Sequence, residues 1–385
     1  MREWLLSLLM VLLVLVGAAC SAGGTERPDP PPSPPTEAAA LPLLTPDFTL
    51  GTTLYGGADL SALDAPARAL LDTAVARGLG GFTYYVDWPD LEPAPGQYAL
   101  DPFTERLDAL QRLGVRPFVN LTVGDIEDYN LPPALSDGQG GLAEGASLSD
   151  PAVIDRFGQL LDRVVPLVLE HGGFALGVGN EVDERLDGRA EERAAYVQFV
   201  EAARERVHAI DARLAVAVTL TATAVRARTE TFRALRPATD IIPFNYGPIQ
   251  PDFFVRDLDA IRGDFQEVVD AHGPGPILIQ ELTCPSAASM NASEAWQRAC
   301  FERLFAAIQA TPQVRFASVF TLQDLDAETC ALVRELIFGD ELDDLPEPIA
   351  QRLADYLCEL GVVAADGTPK PVWNEVLGAA ASAAE

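Results

Sequence analysis

From residue 48 onward the chain alternates short apolar runs with longer stretches in which apolar residues recur at helical spacing. The runs cover 48–55, 82–87, 115–123, 174–180, 214–220, 241–246, 276–281 and 316–321, each of strand length and most closed by Gly, Pro, Asn or Asp. Between them, Leu70, Leu71, Ala74 and Val75 share one helical face behind a Ser61 cap. Segments 102–113, 189–210, 255–271 and 293–308 are likewise helical. Asp150-Pro151 opens a further helix, which Gly172 and Gly173 stop just before the fourth run. Eight strand and helix pairs in unbroken order predict an α/β fold, a (β/α)₈ TIM barrel, with the active site where the strands end. An open doubly wound sheet is the alternative, but no glycine-rich nucleotide fingerprint follows any run. A Gly- and Asp-rich loop over 124–148 is long enough to suggest a lid or binding loop.

The residues before the barrel are of a different kind. Arg2, an apolar run over 5–16 and the small residues Gly17, Ala18 and Ala19 lead to Cys20, too short a stretch for a comfortable membrane span. Residues 1–20 read as a secretion signal, and the G-A-A-C ending resembles the lipobox of bacterial lipoproteins, which implies lipidation of Cys20. Gly17 stands where that motif usually has Leu, so plain signal cleavage stays open. Residues 21–46, rich in Pro, Gly, Ala and Ser, read as a tether. The expected barrel domain is 47–380, on a cell-surface or periplasmic lipoprotein held to the membrane only by its lipid and otherwise monomeric.

Charge excludes some partners. The 385 residues carry a formal charge of −30, with one lysine, Lys370, among 27 basic residues. Nucleic acid and anionic lipid surfaces need basic patches that this composition does not offer.

Two of the eight runs end in a carboxylate. The fourth, F-A-L-G-V-G, leads into Asn180 and Glu181; the seventh, P-I-L-I-Q, leads into Glu281 and then breaks at Thr283, Cys284 and Pro285. Two carboxyls converging on one cleft are what glycosidic bond cleavage requires, and a separation of about 5 Å gives retention through a covalent intermediate. Glu181 would need a raised pKa to act as acid, which the charge of Glu281 would supply. The plain alternative is two structural glutamates in a Glu-rich chain.

At this point the chain resembles the clan A retaining glycoside hydrolases, which place an acid/base Glu after strand four, usually preceded by Asn, and a nucleophilic Glu after strand seven. The W-P-D-L-E-P-A-P-G-Q-Y segment over 88–98, Tyr246 in F-N-Y-G-P, and D-G-T-P-K-P-V-W over 366–373 are similar to segments of these families. The resemblance implies a glycosidase on β-linked poly- or oligosaccharides with Glu181 as acid/base, Glu281 as nucleophile, Asn180 on the sugar 2-hydroxyl and Tyr246 hydrogen-bonded to the nucleophile. After strand eight, where the clan usually has a sugar-stacking Trp, stand Phe320, Thr321, Leu322 and Gln323; at the end of strand two the arginine of some families is missing.

Further candidates are open. Trp88 could stack on a sugar or simply pack. Asp87, Asn120, Asn245 and Gln323 could bind hydroxyls or satisfy loop backbone. Of Tyr84 and Tyr85 only one can face the barrel interior. The three histidines fall near helix ends without ligand spacing, so neither metal nor cofactor is expected. Cys284, Cys300, Cys330 and Cys358 suggest disulfides, with Cys284–Cys330 and Cys300–Cys358 the favoured pairing, and buried thiols the alternative. A catalytically silent sugar-binding barrel, suggested by the missing strand-eight Trp, is the alternative function; a metal-dependent hydrolase and a structural lipoprotein are weaker ones.

Overall fold

The computed structural model describes residues 43–45, 47–54, 60, 63, 65–337 and 346–384. The signal segment with Cys20, nearly all of the tether and the Ser61 cap lie outside the described residues.

Eight parallel strands form a closed barrel: β1 (Thr49–Thr52), β2 (Gly81–Val86), β3 (Arg116–Asp125), β4 (Ala175–Asn180), β5 (Ala215–Ala217, resuming at Leu220–Thr221), β6 (Phe244–Tyr246), β7 (Ile277–Leu282) and β8 (Val314–Val319). Each pairs with its neighbour, and β8 returns to β1 with Thr49 opposite Phe316. Closure turns on β5, whose first half pairs with β4 and whose second half pairs with β6, with a single bridge from Ala217 to Ile241 between. The predicted sixth strand is shortened because Pro243 has no N–H to give a ladder; its carbonyl instead accepts from Leu220 at 3.0 Å.

The eight sequence runs thus correspond to the eight strands, and the helices between them form the outer ring. Helix α1 (Ala65–Ala76) follows β1, α2 (Asp101–Leu113) follows β2 and α3 (Pro151–Glu170) follows β3. Asp150 caps α3 by accepting from the Ala152 amide at 2.8 Å, with Pro151 in the first turn, and Val153, Phe157, Leu160, Leu161, Val164 and Val168 make its buried face. Then come α4 (Ala190–Asp211), the short α5 (Ala222–Ala227) and α6 (Glu230–Leu235), α7 (Ala260–His272) and α8 (Glu294–Gln309). Between β8 and the last helix are two additional ones, α9 (Ala327–Ile337) and α10 (Glu347–Cys358), before α11 (Trp373–Ala383) closes the ring.

The barrel interior is graded. Its floor is apolar, a cluster of Phe118, Phe174, Ala175, Ala215, Ala217, Ile241, Leu278 and Phe316. Phe316 fills the floor so completely that a Cβ on Gly51 or Gly81 would come within 2.7 or 2.5 Å of its ring, which is why those strands carry glycine. Above the floor the inward positions turn polar, with Thr83, Asn120, Thr219 and Gln280 all fully buried.

The cysteine pairing departs from the expected pattern. The disulfides join Cys284 to Cys300 and Cys330 to Cys358, with Cα separations of 6.2 and 5.6 Å. The favoured pairing paired the two top loops with each other; in the structure α8 leans Cys300 against the loop just after β7, and α10 folds back over α9 to bring Cys358 onto Cys330. Lys370 is buried in an ion pair with Asp324 at 2.6 Å and donates to the Ser286 hydroxyl at 2.9 Å, tying the closing segment to the loops after β7 and β8.

Candidate active site

Strand β7 delivers Glu281 through an irregularity. Along β8 the register runs from Ala317 to Val319 while β7 runs from Ile279 to Leu282, and along β6 one step from Phe244 to Asn245 answers two on β7. One extra residue is therefore bulged at Gln280 and Glu281, which breaks the in-out alternation and lets two consecutive side chains face inward. Strand β4 ends differently: Glu181 has φ +46°, a left-handed conformation that side-chain-bearing residues adopt rarely, so the chain turns sharply there. The next residues form one helical turn, Asp183–Leu186, locked by the Asp183 carboxylate on the Thr221 amide and hydroxyl at 2.9 and 2.7 Å.

Both glutamates are half-buried, and each is shifted from ordinary behaviour. Burial, then the negative charge of Glu281, then Asp183 and Glu184, hold the Glu181 carboxyl well above the usual range; the Asn245 amide acts the other way. Burial pushes Glu281 up to about 7, opposed by a hydrogen bond from the Tyr85 hydroxyl to its Oε1. The two settings differ in kind: Glu181 carries the repulsion of Glu281, and Glu281 carries the hydroxyl that favours its charged form.

Tyr85 decides the question left open between the two strand-two tyrosines. Tyr84 turns outward and stacks on Phe103 of α2 at 5.5 Å, whereas Tyr85 points inward to Glu281. Tyr246 does not reach Glu281: its hydroxyl donates to Asp264 on α7 at 2.7 Å, and Asp264 is also held by Arg256 and Arg226 at 2.7 and 2.8 Å. Tyr246 belongs to a buried ion-pair cluster outside the barrel because alternation along β6 puts its neighbour Asn245, rather than Tyr246, on the inner face.

The remaining sequence candidates separate into two groups. Asp87, Asn120, Asn180 and Asn245 line the barrel interior. Asp87 accepts from the Thr122 hydroxyl and from Asn130 Nδ2 at 3.0 Å, and burial pushes it up to about 6. Asn245 Nδ2 donates to Asn180 Oδ1 at 3.0 Å. Trp88 and Gln323 stand elsewhere. Trp88 is wholly buried against Phe157 and Phe199, with its indole N–H on Glu92 at 2.8 Å, so the Pro-rich turn packs it under α3 and α4. Gln323 donates to the Ala365 carbonyl at 2.9 Å and pairs with Val363, securing the segment before α11.

Three contributors escaped the sequence reading. Asp125, at the end of β3, accepts from Asn180 Nδ2 at 3.0 Å and is held well above the usual range by burial, with Asp87, Glu281 and Asp128 adding to it. Gln280 was hidden in an apolar run; a lone amide there was the available signal. Tyr356 of α10 donates to Thr283 at 2.8 Å and feels the charges of Glu281 and Glu181, so the α9–α10 addition walls this side of the mouth. The 124–148 loop walls another: Tyr129 pairs back on β3, and Arg185 packs over the Tyr129 ring at 4.2 Å while donating to the Glu127 and Gly140 carbonyls. Among the described residues no group of three His, Cys, Asp or Glu side chains could hold a metal ion.

No family model and no curated protein matches this sequence. Solved structures do match in fold. An exo-β-1,4-mannosidase from Opitutaceae bacterium strain TAV5 superposes with a TM-score of 0.61 at 19% identity over 87% of this chain, which spans 59% of that protein's length. A GH5_18 protein of Bifidobacterium longum subsp. longum, a Glu-to-Ala variant in complex with Manβ1-4GlcNAc, gives 0.64 at 13% identity, covering 87% of this chain and 78% of its own. A like variant from Streptomyces cattleya, also with Manβ1-4GlcNAc, gives 0.64 at 15% identity, covering 86% and 80%. At such identities the likeness establishes the (β/α)₈ architecture.

Proposed function

We propose that this chain is a retaining glycoside hydrolase acting on β-linked sugars, with Glu281 as nucleophile and Glu181 as acid/base. The observation that carries it is the unequal pair of carboxyls at the ends of β4 and β7, with Tyr85 donating to Glu281 and the Glu281 charge raising Glu181. A nucleophile must be ionised to attack the anomeric carbon, and a tyrosine hydrogen bond favours that form; an acid must hold its proton until the leaving oxygen needs it, and burial beside a second carboxylate does that. In the first step Glu281 forms a glycosyl ester while the Glu181 proton passes to the departing oxygen. In the second, Glu181 takes a proton from water as that water cleaves the ester, restoring both groups. Asn180, beside the acid/base, would contact the sugar 2-hydroxyl, an interaction that strengthens in the transition state. The solved neighbours make β-mannosides the first substrates to try. Disulfides and the Cys20 pattern support an exported, lipid-anchored protein.

The test is azide rescue on activated aryl β-glycosides, with β-mannoside included. Glu281→Ala should lose all turnover and regain it with azide, giving an inverted product; Glu181→Ala should show a burst of aglycone and regain turnover with retention. Wild-type activity in both variants would overturn the assignment. A parent that binds an oligosaccharide but cleaves nothing would replace it with the silent barrel.

A further inference from the structure

A chain of buried amides runs under the two carboxyls, and its polarity is fixed from the Asn120 end. At one end Asn120 Nδ2 donates to the Gly179 carbonyl at 3.2 Å, and a carbonyl can only accept. The same Nδ2 lies 2.8 Å from the Gln280 side chain, so the atom facing it must be the acceptor Oε1, which also accepts from the Thr219 hydroxyl at 2.6 Å. Gln280 is thereby obliged to turn its Nε2 the other way, where it donates to Asn180 Oδ1 at 2.7 Å. A second donor, Asn245 Nδ2, reaches the same oxygen at 3.0 Å. With its oxygen so occupied, Asn180 turns its Nδ2 to Asp125 Oδ1, to which it donates at 3.0 Å. The accounting for Asn180 is nearly complete: both lone pairs of its carbonyl are taken, one N–H is taken, and its second N–H has no partner among the described residues. Asn180 is only 2% exposed, so it cannot rotate its amide without stranding Gln280 or Asp125 in a buried setting.

We infer that Gln280 is a positioning residue that makes Asn180 a donor, so that the sugar this site takes must carry an acceptor at C2, a hydroxyl rather than an ammonium. The inference rests on the glycosidase reading and on the contact between Asn180 and C2 within it. Gln280 is wholly buried and touches no substrate; it acts through Asn180. Its place in the bulge beside Glu281 means that one irregularity of β7 aims the nucleophile and sets the polarity of the residue preceding the acid/base.

The experiment compares kcat/KM for three aryl β-glycosides of one configuration, carrying 2-hydroxyl, 2-deoxy or 2-ammonium, in the parent, Gln280→Glu and Gln280→Leu. In the parent the 2-hydroxyl substrate should exceed both others by about ten-fold or more, the scale of a hydrogen bond made mainly in the transition state. Leu at 280 removes the donor that holds the Asn180 oxygen, leaving its amide free to turn over, whereas Glu at 280, whose carboxyl burial keeps protonated, can still donate. The expected result for Leu is a fall of about ten-fold or more on the 2-hydroxyl substrate, clearly larger than its fall on the 2-deoxy one. Glu should give a smaller, same-signed split. A folded variant, by an unchanged thermal melt, that loses both substrates equally or neither would overturn the inference, as would a parent that prefers the 2-ammonium sugar. Should Gln280→Glu not fold, the parent's ranking and Gln280→Leu still decide it. A parent that cleaves none of the three sinks the glycosidase reading itself, and this inference with it.

Discussion

At the scale of single residues, the site works by opposing burial against one hydrogen bond. Burial alone raises Glu281, and the Tyr85 hydroxyl draws it back to about 7. On the proposed assignment Glu281 must be ionised and Glu181 protonated, so kcat/KM should trace a bell whose acidic limb lies near pH 7 and whose basic limb is that of Glu181. Tyr85→Phe removes the opposing bond. The acidic limb should therefore move to higher pH and kcat should fall about ten- to a hundred-fold, with the basic limb moving less. An unmoved acidic limb would deny Tyr85 this role. Both glutamates could be read from the sequence because a carboxylate that ends an apolar run is conspicuous. Tyr85 could be narrowed only to one of two, since alternation gives the two faces but not which is inner. Tyr246 was misplaced for the same reason, since alternation does not say whether Asn245 or Tyr246 is inner, and Gln280 was missed because nothing in the residues themselves announces a bulge without glycine.

At the scale of elements, strand and helix order were legible because buried parallel strands are continuous apolar runs and helices carry a 3.6-residue stripe. What packs against the barrel from outside was not. Helices α9 and α10 have a core of their own, in which Val333, Leu353, Leu357 and Leu360 meet Phe253, Met290 and Phe320 from neighbouring loops. No period distinguishes such an addition from an eighth barrel helix. The cysteine pairing failed for the same reason, since it assumed that loops adjacent on the barrel would be bridged. Cys330 and Cys358 are 28 residues apart and close a loop of that length between two helices. Loop entropy puts its worth at roughly 3.5 kcal/mol. Cys330→Ser with Cys358→Ser should cost up to about that much in stability. It should also raise KM more than it lowers the pH-limiting groups, because Tyr356 rides on α10. Calorimetry of the double variant and of reduced parent checks this; an unaltered melt would show that the α9–α10 core holds without its bridge.

For the whole molecule, an acidic surface and several proton-hungry carboxyls act in the same direction. Asp87, Asp183 and Asp324 are each pushed up to about 6, Glu281 to about 7 and Glu184 to about 8, in every case with burial as the leading cause. A group with a raised folded pKa binds its proton more tightly in the native state. The stability it lends is complete below the ordinary carboxylate range and drains away as pH rises through the folded value. Here that window runs from about 4 to about 8, and the formal charge of −30 adds repulsion that grows across it. The melting temperature should thus be several degrees higher at pH 5 than at pH 8. A flat or rising melting temperature over that interval would contradict the burial of these groups.

The ion pair between Lys370 and Asp324 has a reach beyond the segment it fastens. Lys370 is the chain's single lysine and only 5% exposed, so the native fold offers amine-directed reagents no side-chain handle. Aldehyde fixation, succinimide labelling and lysine-to-lysine cross-linking would all pass over the folded barrel. The ammonium becomes available when the closing segment lets go of the loops after β7 and β8, which turns one covalent tag at one position into a reporter of how often this end of the barrel opens.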